Sequence, residues 1–347
     1  MINIKRLTML LLLMALSIIV VACSNNDSEK ASTNEGKSSD DEKVTVNLYT
    51  SESQDLVGEM MNEFTAQNPN IKVEIFRTGT EELIAKLEAE RSAGGIDADM
   101  VWFADIDYFN TLDEEGLLEE YQSPNAEEID EKFIYNNGKY YEVRQIFNVL
   151  AYNTAQVSEP LTSWEDLYRE DLKGKIAMAS PDYSGAAFLT LATIVDNDDL
   201  GWDFYQSLKD NDLKFEQGNG ALASKIASGE YHAVSVVDFM ALNAKNEGAP
   251  VEIVWPEEGA AIIPTPVGIM KDSEVVDASK KVLDFLLSEE NQEMFKEQGY
   301  IPVNPNVGVP ENAPAADEIE IMPLDLDFIK ENREELKSEF SNIFGSN

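Results

Sequence analysis

Strands and helices alternate along the chain from residue 44 onward. Val44–Tyr49 and Ile71–Phe76 alternate apolar and polar residues as strands do, and the apolar run Asp99–Phe103 predicts a third strand. Between them, apolar residues at helical spacing predict a helix that ends near Phe64 and a second helix, Glu81–Ala93, that is stopped by two glycines. This alternation predicts an α/β fold with mainly parallel sheets, in which ligands bind at the carboxyl ends of the strands.

Short polar residues follow two of these strands. The first strand runs into Thr50, Ser51 and Ser53, and Asp105 comes shortly after the third. Because the carboxyl ends of neighbouring parallel strands lie at the same edge of a sheet, we expect these four side chains to lie close together. They are candidate ligand-binding residues.

The stretch around Asp238 organises the second half of the chain. It predicts a strand, Ala233–Val237, a helix from Asp238 and a second strand, Val251–Val254, in the order of a β-α-β crossover. The ligand side of such a unit lies where the first strand meets the helix, and Asp238 is predicted there at the N-cap position. A second apolar run, Ala260–Ile269, follows and is interrupted by two prolines.

The segment from Ser180 to Gly185 opens another helix, Ala186–Val195, directly after a strand. An anion would find there the hydroxyls of Ser180 and Ser184 and the backbone N–H groups of Gly185 and Ala186, and the helix dipole would add about 0.3–1 kcal/mol. The alternative interpretation is simple N-capping by Ser184, which needs no ligand. We favour the anion site because Ser180 and the glycine add more than a cap requires.

The N-terminus has the pattern of an export signal. Two basic residues precede the apolar run Leu7–Val21, which is shorter than the about 20 residues that span a membrane. The run ends at Val20-Val21-Ala22-Cys23, which resembles the bacterial lipobox, so residues 1–22 are predicted to be a signal peptide and Cys23 to carry a lipid. The alternative is a buried free cysteine. The polar segment 23–43 is predicted to be a disordered tether that holds the exported protein to the cell membrane.

The amino-acid composition limits which partners the protein can bind and which reactions it can catalyse. The leader holds two of the 26 basic residues and none of the 66 acidic ones, so the mature chain carries 24 bases against 66 acids, a net charge of −42. So acidic a chain excludes nucleic acid as a partner. The chain has one histidine and one cysteine, and it lacks the Gly-x-Ser-x-Gly and Walker motifs. No catalytic set can be recognised, so a cell-surface hydrolase is the weaker alternative to a binding protein.

Four motifs resemble one family of transport receptors. They are, in chain order, the W-x-D-L of Trp164–Leu167, the G-K-I of Gly174–Ile176, the GAPVEIVWPEEG of Gly248–Gly259 and the GYIPVN of Gly299–Asn304. With the lipobox, they resemble the extracellular solute-binding lipoproteins of ABC importers, in the branch that takes ferric iron, 2-aminoethylphosphonate or phosphate esters. The resemblance covers residues 44–307 well and the tail poorly.

This resemblance implies the type II periplasmic-binding-protein fold, with two α/β lobes joined by a two-strand hinge. Lobe 1 would hold residues 44–150 and about 263–310, and lobe 2 residues from about 151 to 262 with one or two C-terminal helices in 313–345. Tyr140–Asn153 would be the first crossing between the lobes. The protein would be a monomer that traps a small molecule between its lobes and hands it to an ABC permease in the membrane.

The resemblance also places three further residues at the cleft. Arg144 would face the ligand from the first crossing, although a surface ion pair remains an equal alternative. Asn219 would reach the ligand from a Gly-Asn-Gly turn, or serve only as a turn residue. Phe239 would form part of an aromatic wall, or pack in the core.

Iron binding of the kind that the family uses is disfavoured, and neither a metal nor a cofactor is expected. The positions that correspond to the family's paired tyrosines, acidic ligand and histidine hold residues that cannot bind iron in that way: Phe239, Met240, Ala104 and Ser53. The remaining iron alternative is a site with other ligands, such as Asp105, Asp238 and Tyr231.

We therefore predict a receptor for a small anionic or zwitterionic organic molecule, either a phosphonate such as 2-aminoethylphosphonate or a phosphate ester. The serines and the turn from Thr50 to Ser53 would hold its anionic end. Asp238 would hold a cationic or hydroxylated end, because a buried carboxylate needs a partner. The sequence leaves the choice between an aminoalkylphosphonate and a hexose phosphate open.

Overall fold

Two β-sheets, each covered by helices, form the framework of the protein. The computed structural model describes residues 43–345. The strands are β1 Val44–Thr50, β2 Ile71–Arg77, β3 Met100–Trp102, β4 Ile134–Tyr135, β5 Tyr140–Tyr141, β6 Arg144–Gln145, β7 Phe147–Asn153, β8 Ile176–Ala179, β9 Lys214–Glu216, β10 Ala233–Val237, β11 Val251–Val254, β12 Ala260–Ile262, β13 Val267–Ile269, β14 Ile301–Pro302 and β15 Ile321–Met322. The helices are α1 Gln54–Gln67, α2 Thr80–Ala93, α3 Ile106–Glu114, α4 Gly185–Asp196, α5 Gly201–Asp210, α6 Asn219–Ser228, α7 Asp238–Asn246, α8 Val276–Leu287, α9 Glu289–Glu297 and α10 Leu326–Phe344.

Lobe 1 is built on a six-stranded sheet in the order β2-β1-β3-β13-β5-β4. β1 runs parallel to both of its neighbours, β2 and β3, and antiparallel pairing begins where β13 joins β3. β13 runs the opposite way because it returns to this sheet from the other one. α1 covers the sheet with Met60, Met61 and Phe64 of its predicted apolar stripe, all of which are buried.

Lobe 2 is built on a seven-stranded sheet in the order β15-β12-β7-β10-β8-β9, with β11 also paired to β7. All seven residues of β7 are buried at the centre of this sheet. β10 and β11 pair with the same residues of β7 from opposite sides and both run antiparallel to it, so they are parallel to each other. The predicted crossover of β10, α7 and β11 is therefore confirmed, with β7 lying between its two strands.

Two hinge segments carry the chain between the sheets. The first (142–146) connects β5 to β7 and includes β6, and the second (263–266) connects β12 to β13. The Thr265 N–H donates to the Glu142 carboxylate at 3.0 Å, which joins the two segments. The two prolines of the second segment cannot donate to a strand ladder, so the predicted apolar run Ala260–Ile269 is split between the two sheets.

The C-terminal helix α10 contacts both lobes. It packs on α4 and α5 of lobe 2 and on α3 of lobe 1. Of the stretch predicted to supply one or two helices, residues 313–325 are not helical, since they contain β15, which pairs with β12. The helix begins only after Asp325, whose side chain accepts from the Phe328 N–H at 2.9 Å. Pro314 and Pro323 prevent an earlier start.

The predicted signal peptide, the lipid-bearing Cys23 and the predicted tether lie outside the described residues. Across residues 43–345, no helix combines the length and the apolar character needed to cross a membrane.

Candidate ligand-binding cleft

A cavity of about 800 Å³ lies between the lobes. Four turns form its walls: those after β1 and β2 in lobe 1, and those after β8 and β9 in lobe 2. Residues of both hinge segments and the start of α7 complete the lining. The volume lies within the range of about 300–1,000 Å³ found for small-molecule sites. Several of the strand ends that were predicted to carry the site border this cavity.

Besides the start of α7, four helix N-termini meet at this cavity, two from each lobe. They are the starts of α1, α2, α4 and α6, whose N-cap residues are Ser53, Gly79, Ser184 and Gly218. Only α4 among these four has a side-chain cap, since Ser184 Oγ accepts from the Ala187 N–H at 3.3 Å. The first N–H groups of a helix have no acceptor within it, and its N-terminus carries a partial positive charge. These helix N-termini therefore contribute positive potential to a cavity whose lining also includes the carboxylates of Glu52, Asp55 and Glu82.

Arg77 lines the cavity with a positively charged side chain. Its guanidinium donates to the backbone carbonyls of Glu52 at 3.2 Å and Ser51 at 3.4 Å, and within residues 43–345 it forms no ion pair with an acidic side chain. Its charge is therefore available to a ligand. Arg77 is absent from the predicted ligand-binding residues because the predicted second strand ends at Phe76, whereas β2 runs one residue further and places Arg77 at its carboxyl end.

The predicted ligand-binding residues divide into two groups. Seven of them line the cavity: Ser51, Ser53, Ser184, Gly185, Ala186, Asn219 and Phe239. The other five are buried outside its lining: Thr50, Asp105, Arg144, Ser180 and Asp238. Most of the second group have structural partners that account for their positions.

Arg144 lies under the cavity floor with 1% of its side chain exposed. It forms a buried ion pair with Glu52, and its guanidinium lies 4.4 Å from the ring centre of Trp102 and 4.3 Å from that of Tyr300. Burial raises the pKa of Glu52, and the charge of Arg144 opposes that rise. Since Glu52 lines the cavity, Arg144 supports the site from behind. The predicted alternative of a surface ion pair is wrong, because the pair is buried.

Asp238 is fully buried where β10 meets α7. It is the first residue of the helix, and the N-cap is Val237, so the predicted capping position is wrong by one residue. One carboxylate oxygen accepts from the Phe147 N–H at 3.1 Å, and the other has no hydrogen-bond partner in the described part of the protein. Burial raises the pKa of Asp238 from 3.8 to about 7.

Thr50, Ser180 and Asn219 hold the turns around the cavity. The Thr50 hydroxyl donates to the Trp102 carbonyl at 2.7 Å. Ser180 Oγ accepts from the Asp182 N–H at 3.3 Å, and Asn219 Oδ1 accepts from the Val237 N–H at 3.3 Å. These bonds fix the backbone that carries the N-termini of α1, α4 and α6.

The three residues considered for a different iron site do not form one cluster. Asp105 caps α3 by accepting from the Tyr108 N–H and pairs with Arg333, Asp238 is buried behind the hinge, and Tyr231 donates to Glu216 at 2.6 Å. Over residues 43–345, no three or more His, Cys, Asp or Glu side chains are grouped so as to hold a metal ion.

The two lobes touch at the rim of the cavity. A Cβ atom added to Gly185 of lobe 2 would overlap the Ala104 carbonyl oxygen and lie 2.8 Å from Thr80 Oγ1 of lobe 1. A Cβ atom added to Gly79 of lobe 1 would lie 2.8 Å from the Tyr183 carbonyl oxygen of lobe 2. Backbone therefore meets backbone across the cleft, and the structure has the lobes closed.

This architecture, with two α/β lobes closed on a polar cavity at a two-segment hinge, is that of a binding receptor. The chain belongs to the bacterial extracellular solute-binding proteins, whose family model matches residues 59–321. The resemblance seen in the sequence motifs is thereby confirmed.

Individual relatives agree with this family. An uncharacterized protein of Haemophilus influenzae is 32% identical over 247 residues, which are 66% of this chain and 69% of the relative. The spermidine/putrescine-binding periplasmic protein 1 of the same organism is 25% identical and is matched over 72% of each chain. Among solved structures, the periplasmic binding protein AfuA from Actinobacillus pleuropneumoniae, with fructose-6-phosphate bound, has a TM-score of 0.77 at 25% identity and covers 86% of this chain and 98% of its own. The predicted two-lobe type II fold is confirmed.

Replacing Gly185 by alanine should hold the lobes apart. The added Cβ overlaps the backbone carbonyl oxygen of Ala104 in lobe 1, which cannot rotate away as a side chain can. We expect Gly185→Ala to have a larger radius of gyration than the wild type in small-angle X-ray scattering. The control is Gly58→Ala on α1, where a Cβ meets nothing within 4 Å. Equal radii for Gly185→Ala and the wild type would show that the lobes do not meet there in solution.

Asp238 should make the free energy of unfolding fall as the pH rises from about 4 to about 7. In this window the folded protein keeps a proton that the unfolded chain has lost, so the stabilisation that is present below pH 3.8 disappears by about pH 7. Urea unfolding at about pH 5 and about pH 8 should show a smaller loss for Asp238→Asn than for the wild type. Some loss will persist in Asp238→Asn because burial also raises the pKa of Glu142, to about 8.

The matched control for this prediction is Asp272→Asn, which changes an exposed carboxylate and should keep the pH dependence of the wild type. An unchanged pH dependence in Asp238→Asn would contradict the raised pKa.

Proposed function

We propose that the protein captures a small polar organic anion in the inter-lobe cleft and delivers it, chemically unchanged, to the permease of an ABC importer. The observation that carries this proposal is the meeting of four helix N-termini and Arg77 at one cavity between the lobes. The lipid predicted on Cys23 would hold the receptor at the outer surface of the membrane, within reach of that permease.

A phosphate ester or a phosphonate fits the donors of this cavity. The oxygens of a phosphate or phosphonate group accept several hydrogen bonds at once. They can therefore bind both the backbone N–H groups at the helix N-termini and the guanidinium of Arg77. The hydroxyls of Ser51, Ser53 and Ser184 line the same cavity and can add to this set. The AfuA structure, which holds fructose-6-phosphate, supports an anion of this class.

A zwitterion such as 2-aminoethylphosphonate has a further argument in its favour. Asp55 and Glu82 line the cavity on the side of lobe 1, and could accept from an ammonium group. Glu82 already accepts from Thr78, which leaves Asp55 as the freer of the two. Asp238, which was predicted for this role, lies outside the lining.

A polyamine is the second candidate, because one relative is named for spermidine and putrescine. The charges of the cavity oppose it. Helix N-termini and Arg77 repel cations, and the negative charge of Glu52 is paired with Arg144. A polyamine would therefore have only Asp55 and Glu82 as charged partners.

Arg77→Met should weaken binding of the anion about 10- to 100-fold, since hydrogen bonds to charged groups contribute about 1.5–3 kcal/mol. Binding is measured by thermal unfolding with 2-aminoethylphosphonate, fructose 6-phosphate, glycerol phosphate, spermidine and ferric citrate. A ligand at a hundred times its dissociation constant stabilises the protein by about 2.7 kcal/mol, which gives a clear shift. The control Lys72→Met removes a charge from the same strand, where Lys72 pairs with Glu74, and should bind as the wild type does.

Three outcomes would contradict the proposal. Stabilisation by spermidine alone would show that the site takes a cation, and stabilisation by ferric citrate alone would point to metal ligands other than those considered. A product released from any of the phosphate compounds would identify an enzyme instead of a receptor.

A further inference from the structure

The C-terminal half of α10 is anchored on lobe 2 by aromatic contacts. The ring of Phe340 lies 6.1 Å from that of Tyr205 on α5 and 5.3 Å from that of Phe215 on β9, measured between ring centres. Phe344 lies 4.9 Å from Phe215. β15, which precedes the helix, is itself paired with β12 of lobe 2. This half of the helix therefore moves with lobe 2.

One face of α10 carries three basic residues that pair with acids of lobe 1. Lys330, Arg333 and Lys337 are spaced by three and four residues, so they lie on the same side of the helix. The ion pairs are Lys330 with Glu114 at 3.1 Å, Lys337 with Glu81 at 2.5 Å, and Arg333 with Glu81 at 3.4 Å, Asp107 at 3.8 Å and, in closest contact, Asp105. The helix thus bridges the lobes on the acidic side of α2 and α3.

Arg333 is the centre of this bridge. Its guanidinium lies 4.4 Å from the ring centre of Phe188, which belongs to α4 of lobe 2. It also pairs with Asp105 of lobe 1, whose side chain is 1% exposed. A carboxylate so deeply buried is costly without its partner, so this contact resists separation far more than the exposed pair of Lys330 and Glu114.

The ion pairs of α10 involve residues that lie next to the contacts between the lobes. Asp105 directly follows Ala104, which touches Gly185 of lobe 2. Glu81 directly follows Thr80, which also meets Gly185. Opening of the hinge would move these elements away from α4 and from the anchored half of α10, and the ion pairs of Arg333 would have to break.

We propose that α10 is a strap that stabilises the closed arrangement of the lobes, and that Arg333, held between Phe188 and Asp105, is its principal contact. The strap sets the balance of open and closed forms before any solute arrives. Because the apparent affinity depends on the fraction of protein in the form that binds, the strap also tunes how tightly a solute is held. This inference concerns closure alone and does not depend on which solute the cleft takes.

The test measures the distance between the lobes without any solute. Spin labels are placed at Lys72→Cys in lobe 1 and Lys209→Cys in lobe 2, two exposed positions, in the full chain with its single cysteine removed as Cys23→Ser. Electron paramagnetic resonance then gives the distribution of distances. We expect Arg333→Met to raise the population with longer distances about tenfold.

Asp105→Asn is the second variant, because asparagine keeps the cap of α3 and removes only the charge. It should open the lobes as Arg333→Met does, and the double variant should open them no further. Lys330→Met, which removes the exposed pair, is the matched control and should keep the wild-type distribution. Circular dichroism verifies that each variant is folded, and if Arg333→Met does not fold, Asp105→Asn decides the question.

Wild-type distances in folded Arg333→Met and Asp105→Asn would overturn the proposal, as would equal opening in Lys330→Met. The same labels, read after addition of fructose 6-phosphate or 2-aminoethylphosphonate, test solute binding separately. A strap without effect and a cleft that binds neither compound are therefore distinguishable results.

Discussion

The buried charge of Arg144 is the constraint on which the hinge depends. Its guanidinium must keep a partner, because an isolated charge in the interior is far too costly, and Glu52 supplies it from the first turn of lobe 1. Trp102 and Tyr300 enclose the guanidinium, and the Trp102 indole N–H donates at 3.0 Å to the Thr265 carbonyl of the second hinge segment. One ion pair thus fixes the turn after β1, both crossings and the floor of the cleft in a single arrangement.

The fold and the position of the cavity between the lobes follow from local patterns. Alternating apolar residues mark the strands, and the polar turns at their carboxyl ends contain Ser51, Ser53 and Ser184, which line the cavity. The proline-broken run near residue 264 marks the second hinge segment. These features are predictable because each depends on the spacing of near neighbours in the chain.

The partners of the candidate residues are not predictable in this way. Asp105 looks like a ligand residue until Arg333, 228 positions away, is found beside it. Asp238 has the right place at a strand end, but it accepts a hydrogen bond from the Phe147 N–H and lies outside the cavity lining. Arg77 was not predicted as a ligand-binding residue because strand ends are uncertain by a residue or two. Here one residue decides which side chain reaches the cleft.

The path of the chain through the two sheets sets an order of assembly. The six strands β7 to β12 of lobe 2 come from one continuous stretch, and β15 adds only at the edge. β13 lies inside the sheet of lobe 1, between β3 and β5, yet it follows all six of those strands in the chain. During synthesis the N-terminal part of the chain leaves the ribosome first, so the sheet of lobe 1 cannot be completed until β13 has been made, after most of lobe 2. The sheet that is begun first therefore receives a central strand only after six strands of the other sheet have been made.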